Sequence, residues 1–214
     1  MIVLFCICKT CIAQSQNIFL IKRGYLNLTF DKPYGFSDMD FDNEFFYYTS
    51  NPSQNRLKVI NPLNYRMISS DSSVIISFLI KTLDVSLDSS RLLQMLFPGQ
   101  TANTSYLLDI RNKADTINDK VIFYSKDQSR DRYNADVAGE YGFTMEVPYL
   151  QRYPYCRIVF LHQQSLGDVE IYYFHTASGK EKVKSLIASA QCMTKYKSFT
   201  DRPKAPVFNG PIKH

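Results

Sequence analysis

Val74-Ile75-Ile76-Ser77-Phe78-Leu79-Ile80 is nearly unbroken apolar sequence rich in β-branched side chains. A run of that length bounded by turn residues reads as a strand buried on both faces, inside its sheet rather than at an edge. Ser69-Ser70-Asp71-Ser72-Ser73 supplies the turn before it. Shorter strand candidates surround it: the half that alternates Leu26, Leu28 and Phe30, then Glu44 to Thr49, Arg56 to Ile60 and Leu63 to Ile68. Downstream come Tyr106 to Arg111, Lys120 to Lys126, Glu140 to Val147, Tyr155 to Gln163 and Val169 to Thr176. The last two flank Ser165-Leu166-Gly167-Asp168, a hairpin signal.

One strong helix follows. Ser178-Gly179-Lys180-Glu181 has the form of a capping box, and Val183, Leu186, Ile187, Ala190, Met193 and Thr194 share one face. The spacing predicts a helix from Ser178 to Lys197 lying on the sheet. A shorter helix is expected at Arg91 to Phe97, stopped by Pro98-Gly99. The fold class expected is α+β: a mainly antiparallel, twisted sheet with a C-terminal helix packed on one face and one short additional helix.

Composition agrees. The chain of 214 residues is 45% hydrophobic and 21% charged, the balance of an ordered globular domain. It holds 15 Tyr and 15 Phe but no Trp, a choice that favours pleated, half-buried surfaces. The 25 Lys and Arg against 20 Asp and Glu are interspersed rather than striped, which argues against nucleic-acid binding.

Met1 to Gln14 reads as an export signal. Ile2 to Cys8 is apolar, Lys9-Thr10 is a polar break, and Ala13 stands where cleavage would follow. It lacks the usual basic start, and the alternative is a first strand of a cytosolic protein. The apolar run is far below the ~20 residues that cross a bilayer, so no transmembrane span is expected. The organisation expected is a signal over residues 1–14, one domain over 15–199 and an extended basic tail over 200–214. The expected location is periplasmic or extracellular.

Removal of the signal leaves Cys156 and Cys192. A disulfide between them would add roughly 3–4 kcal/mol on the chain-entropy model. Helical phase turns Cys192 away from the sheet, which favours two separate thiols. The sequons at Asn27 and Asn103 matter only in a eukaryotic secretory pathway.

Candidate chemistry is sparse. His162 and His175 lie in the hairpin, and a Leu166-Gly167 turn pairs them with Ile171 and Ile158. A Gly167-Asp168 turn pairs them instead with Tyr173 and Phe160. Neither register sets one histidine opposite the other, so a shared zinc site would need further ligands. Asp38, Asp40 and Asp42 alternate as in a Ca²⁺ loop, but Thr49 stands where the bidentate Glu belongs; an acidic edge strand explains them equally. Asp127 to Gly139 reads as the longest polar connection, with Arg130, Arg132 and Tyr133 as binding candidates. Phe46 and Tyr48, in the aromatic segment Phe45 to Tyr48, and the basic tail are further candidate contact surfaces. The functional expectation is an exported, non-enzymatic interaction or ligand-binding domain without a cofactor, its partner a protein or cell-envelope component. The competing expectations are a hydrolase built around His162 or His175 and a weak Ca²⁺-dependent module.

Overall fold

The computed structural model describes residues 18–39, 46–48, 58–60, 63–83, 95–96, 98–99, 101–114, 121–189 and 194–197. The signal segment, Asp40, Asp42, Cys192 and the tail lie outside the described residues. Of the helix expected at Arg91 to Phe97, only Met95 and Leu96 are described, and both are helical.

The centre is a seven-stranded sheet in the order β2 (Phe36–Asp38), β5 (Tyr65–Ser69), β6 (Val74–Thr82), β10 (Gly167–His175), β9 (Tyr153–Gln163), β8 (Val137–Tyr149) and β7 (Ile122–Phe123). Every pairing in it is antiparallel. The Val74 to Ile80 run therefore lies between two strands, as its composition predicts. Two ribbons stand apart: β1 (Leu28–Phe30) with β11 (Thr194–Tyr196), and β3 (Phe46–Tyr48) with β4 (Lys58–Ile60).

The pleat divides the core in two. Val74, Ile76, Phe78, Ile80, Val169, Ile171 and Tyr173 lie in the cluster on one face. It also takes in Phe19 of helix α1 (residues 18–25), Tyr133 of α3 (Lys126–Tyr133), and Val183 and Ile187 of α4 (Lys180–Ala188). The ribbon adds Leu28 and Tyr196. The cluster on the other face joins Ile75, Leu79, Ile158, Phe160, Tyr172 and Phe174 to Ile110 of α2 (Ser105–Lys113).

Four expectations change. Tyr106 to Arg111 is helical, not a strand. Its apolar residues satisfy a strand period locally, but Ile110, Lys113 and Ala114 are the buried positions, and their spacing is helical. Asp127 to Gly139 is not a loop: it holds α3 and the start of β8. Gln128 N–H donates to Ser125 Oγ at 3.2 Å, and Ser125 N–H donates to Gln128 Oε1 at 3.0 Å. This reciprocal cap compensates for a helix with little apolar face, and Asn134 ends it in a left-handed conformation. Ser125→Ala should cost about 1 kcal/mol, read as a lower urea midpoint at unchanged slope.

The C-terminal helix is also shorter than its Ser178-to-Lys197 pattern. It ends at Ala188, and Thr194–Tyr196 forms β11 instead. Gly179, not Ser178, caps it, with no side-chain bond to the helix. Thr176 Oγ1 accepts from Gly179 N–H at 3.3 Å, and Glu181 pairs with Lys184 at 2.7 Å rather than reaching back. A Cβ at Gly179 would collide with the Ser73 carbonyl, so the chain needs glycine where it crosses the start of β6.

Finally, the β9–β10 hairpin adopts neither anticipated register. Gln163 pairs with Gly167 around the three-residue loop Gln164 to Leu166, with Ser165 left-handed at φ 63°. His162 consequently faces Asp168, and His175 faces Tyr155.

Candidate functional site

The three-residue loop decides what meets on the second face. It brings Lys81 of β6, Asp168 and Glu170 of β10, and His162 of β9 to one end of the sheet. Helix α2 crosses above and contributes Tyr106, Asp109 and Lys113. The 3₁₀ turn Ala102–Thr104 braces the loop, because Asn103 Oδ1 accepts from Ser165 N–H at 2.8 Å.

Glu170 is the hub and is only 5% exposed. Lys113 Nζ donates to its Oε1 at 2.6 Å and also to Oε2. Lys81 Nζ lies 3.3 Å from Oε1 and also binds Asp109, while the Tyr172 hydroxyl donates to Oε2. Burial alone would raise the Glu170 carboxyl, but Lys113 and Lys81 outweigh it and pull the pKa down to about 2. Burial opposes charge on Lys81 as well, yet Glu170 and Asp109 hold its pKa above the ordinary range. On Lys113 burial prevails and the pKa falls, even with Glu170 opposing it.

Beside this hub, His162 Nδ1 and Asp168 Oδ1 are 2.6 Å apart, the geometry in which an imidazole N–H donates to a carboxylate. Tyr106 stacks on the imidazole at 4.4 Å between ring centroids. Burial raises the Asp168 carboxyl, and the His162 bond only partly offsets this. His162 is 4% exposed. A histidine oriented by a carboxylate is one element of an acid–base site. A hydroxyl or thiol nucleophile bonded to His162 is not among the described hydrogen bonds.

The remaining sequence candidates lie elsewhere. His175 Nδ1 donates to Thr176 O at 2.8 Å and stacks on Tyr155 at 5.3 Å. Burial lowers its pKa, so it is neutral near pH 7. The two histidines face different residues, and no group of three or more His, Cys, Asp or Glu side chains among the described residues could hold a metal. Asp38 is engaged by Lys32 at 2.9 Å and by the Tyr65 hydroxyl.

On α3, Arg130 is exposed while Tyr133 is buried. Arg132 donates to the Ile187 carbonyl in the last turn of α4, and its guanidinium lies 5.1 Å from the ring centroids of Tyr124 and Tyr133. Arg132 and Tyr133 thus meet each other as a clamp between α3 and α4. Phe46 and Tyr48 lie on β3, paired with Ile60 and Lys58. Cys156 is buried, and burial pushes its thiol well above the ordinary range. Asn27 is buried in the turn between α1 and β1 rather than within a strand.

The sequence reading missed Lys81, Tyr106, Asp109, Lys113, Asp168, Glu170 and Tyr172. One signal was available: Asp168 and Glu170 alternate with Val169 and Ile171 on a strand otherwise built for burial. A buried carboxylate requires a partner, so two of them predict a hidden counter-charge.

Comparison with known proteins returns no matching family model, no matching curated protein and no matching solved structure.

Proposed function

We propose that this chain is an exported, non-enzymatic binding domain that acts in the periplasm or outside the cell against a protein or cell-envelope component. One observation carries the non-enzymatic part. The ionisable groups that converge under α2 are spent on one another: Glu170 on Lys113, Lys81 and Tyr172, and Asp168 on His162. A network so enclosed fixes the sheet against a helix and offers little room for a reacting molecule. In this reading α4 packed across the first face is scaffold, and contacts form at the surface, with Arg130, the β3 segment holding Phe46 and Tyr48, and the basic tail as candidates. The Met1 to Gln14 pattern supports export.

A second reading is favoured by one contact, the His162–Asp168 dyad, which would serve a hydrolase if α2 moved aside. His162→Gln separates the two. The binding domain predicts a melting temperature lowered by several degrees and no His162-dependent turnover on ester, amide or phosphate substrates. Hydrolysis abolished by this substitution, with folding intact, would overturn it. Intact mass of the protein recovered outside the cytoplasm tests export: loss of residues 1–13 is expected, and a full-length cytosolic chain would refute it.

A further inference from the structure

Helix α1 carries apolar residues on the wrong side. Phe19 is 4% exposed and fixes the inward direction. At 100° per residue, the half facing away from Phe19 and Leu26 is made of Leu20, Ile21, Gly24, Tyr25 and, at its margin, Ile18. Their exposures are 50% for Leu20, 59% for Ile21, 67% for Tyr25 and 44% for Ile18. No charged residue interrupts that half. A helix on a water-facing surface normally turns polar residues outward, so an apolar outer face implies a second apolar contact.

The surroundings state what kind of contact. Residues 18–30 include Lys22 and Arg23 and no acidic residue. Lys22 Nζ donates to the Ile80 carbonyl at 3.1 Å, pinning the helix to β6. The β1–β11 ribbon continues directly from α1, with Lys197 N–H donating to Asn27 O at 2.9 Å. On β11 the buried Thr194 and Tyr196 flank exposed Lys195, and exposed Lys197 follows directly. Helix and ribbon cover the same face of the sheet, since Phe19, Leu28 and Tyr196 join one core cluster. An apolar helix face that runs through Asn27 into a ribbon bearing exposed Lys195 and Lys197 is complementary to a layer with anionic headgroups over hydrocarbon.

We propose that α1 is an interfacial membrane helix: Leu20, Ile21 and Tyr25 enter the headgroup–acyl boundary of an anionic bilayer, and Lys195 and Lys197 contact lipid phosphate. This rests on the binding-domain reading and names its envelope component as lipid. The apolar Ile2 to Cys8 run lies just upstream, so α1 is the first described element to follow the segment that directs the chain to a membrane. If the signal is cut after Ala13, α1 retains the exported domain at the surface it has crossed.

The test is sedimentation of the purified exported protein with phosphatidylglycerol–phosphatidylcholine vesicles, alongside phosphatidylcholine alone. Preferential binding to the anionic vesicles is expected. Ile21→Glu should weaken it at least about tenfold, and Lys195→Glu with Lys197→Glu by a similar factor. All these positions are solvent-facing, so the variants should melt with the wild type. Ile21→Glu leaves any retained signal segment in place, so binding that survives it overturns the proposal. So does a wild-type dimer that ignores vesicles and is split by Ile21→Glu, which would make a second copy the occupant. Failure here differs from failure of the broader reading: an exported protein indifferent to vesicles defeats only the lipid contact, whereas a cytosolic, uncleaved chain defeats both.

Discussion

Replacing Glu170 with Gln is expected to destabilise the domain by about 3–5 kcal/mol, because Lys113 stays buried and loses its counter-charge. For a chain of this length that loss lowers the melting temperature by roughly 10 °C. Gln preserves the volume, so a cavity cannot account for the loss. Adding Lys113→Met should restore part of the stability, since the second change removes the stranded ammonium and leaves apolar packing. The effect also carries a pH signature. The folded Glu170 carboxyl titrates at about 2, below its ordinary value of 4.5. A carboxylate with a depressed folded pKa contributes fully above the unfolded value, and the contribution fades as pH falls towards the folded one. The gap between wild type and Glu170→Gln should thus be constant from neutral pH to about 5 and narrow between about 4.5 and 2. Urea titrations of both proteins across that window check it. A gap independent of pH would mean that the fold does not favour the Glu170 carboxylate over its protonated form.

Gly167→Ala is expected to be as severe. Gly167 has φ 148°, and a Cβ there would strike the Lys81 carbonyl and approach Leu26 Cδ2 to 2.7 Å. Neither neighbour yields easily: the first is backbone paired along the whole of β10, and the second is fully buried. Strain and forced separation together should cost about 3 kcal/mol. Hydrogen exchange should show the loss first at the Gly167–Thr82 end of the β6–β10 pair. Gly24→Ala gives the contrast: nothing lies within 4 Å of its added Cβ, and it sits inside α1. That change should be neutral or stabilising by up to about 1 kcal/mol.

The legible and illegible parts of this chain differ in physical kind. Val74 to Ile80 and the paired runs of the β9–β10 hairpin were readable because burial on both faces forces continuous apolar sequence. The antiparallel α+β class follows from them. Helix α3 was hidden because its residues are almost all polar, and its identity rests on the Ser125–Gln128 cap and on two inward residues, Ser129 and Tyr133. Helix α2 was misread because Tyr106, Leu108 and Ile110 alternate over too short a span to reveal the longer period. The charged network was illegible for another reason. Lys81 and Glu170 are 89 residues apart, and Lys113 and Glu170 are 57 apart. Their meeting depends on hairpin register, and a loop one residue longer or shorter would turn Asp168 and Glu170 to the opposite face.

The β1–β11 ribbon joins Leu28 to Tyr196 and Phe30 to Thr194, nearly the full described length of the chain apart. Contacts of such separation form late, because the intervening chain must be available before they can close. A polypeptide delivered N-terminus first therefore emerges with α1 and β1 waiting for their partner strand. Until Thr194 to Tyr196 arrive, Leu28 and Tyr196 cannot seal their side of the core, and the domain is held open from its leading end. The ribbon is thus the latch of the fold, closed only once Thr194 to Tyr196 are in place.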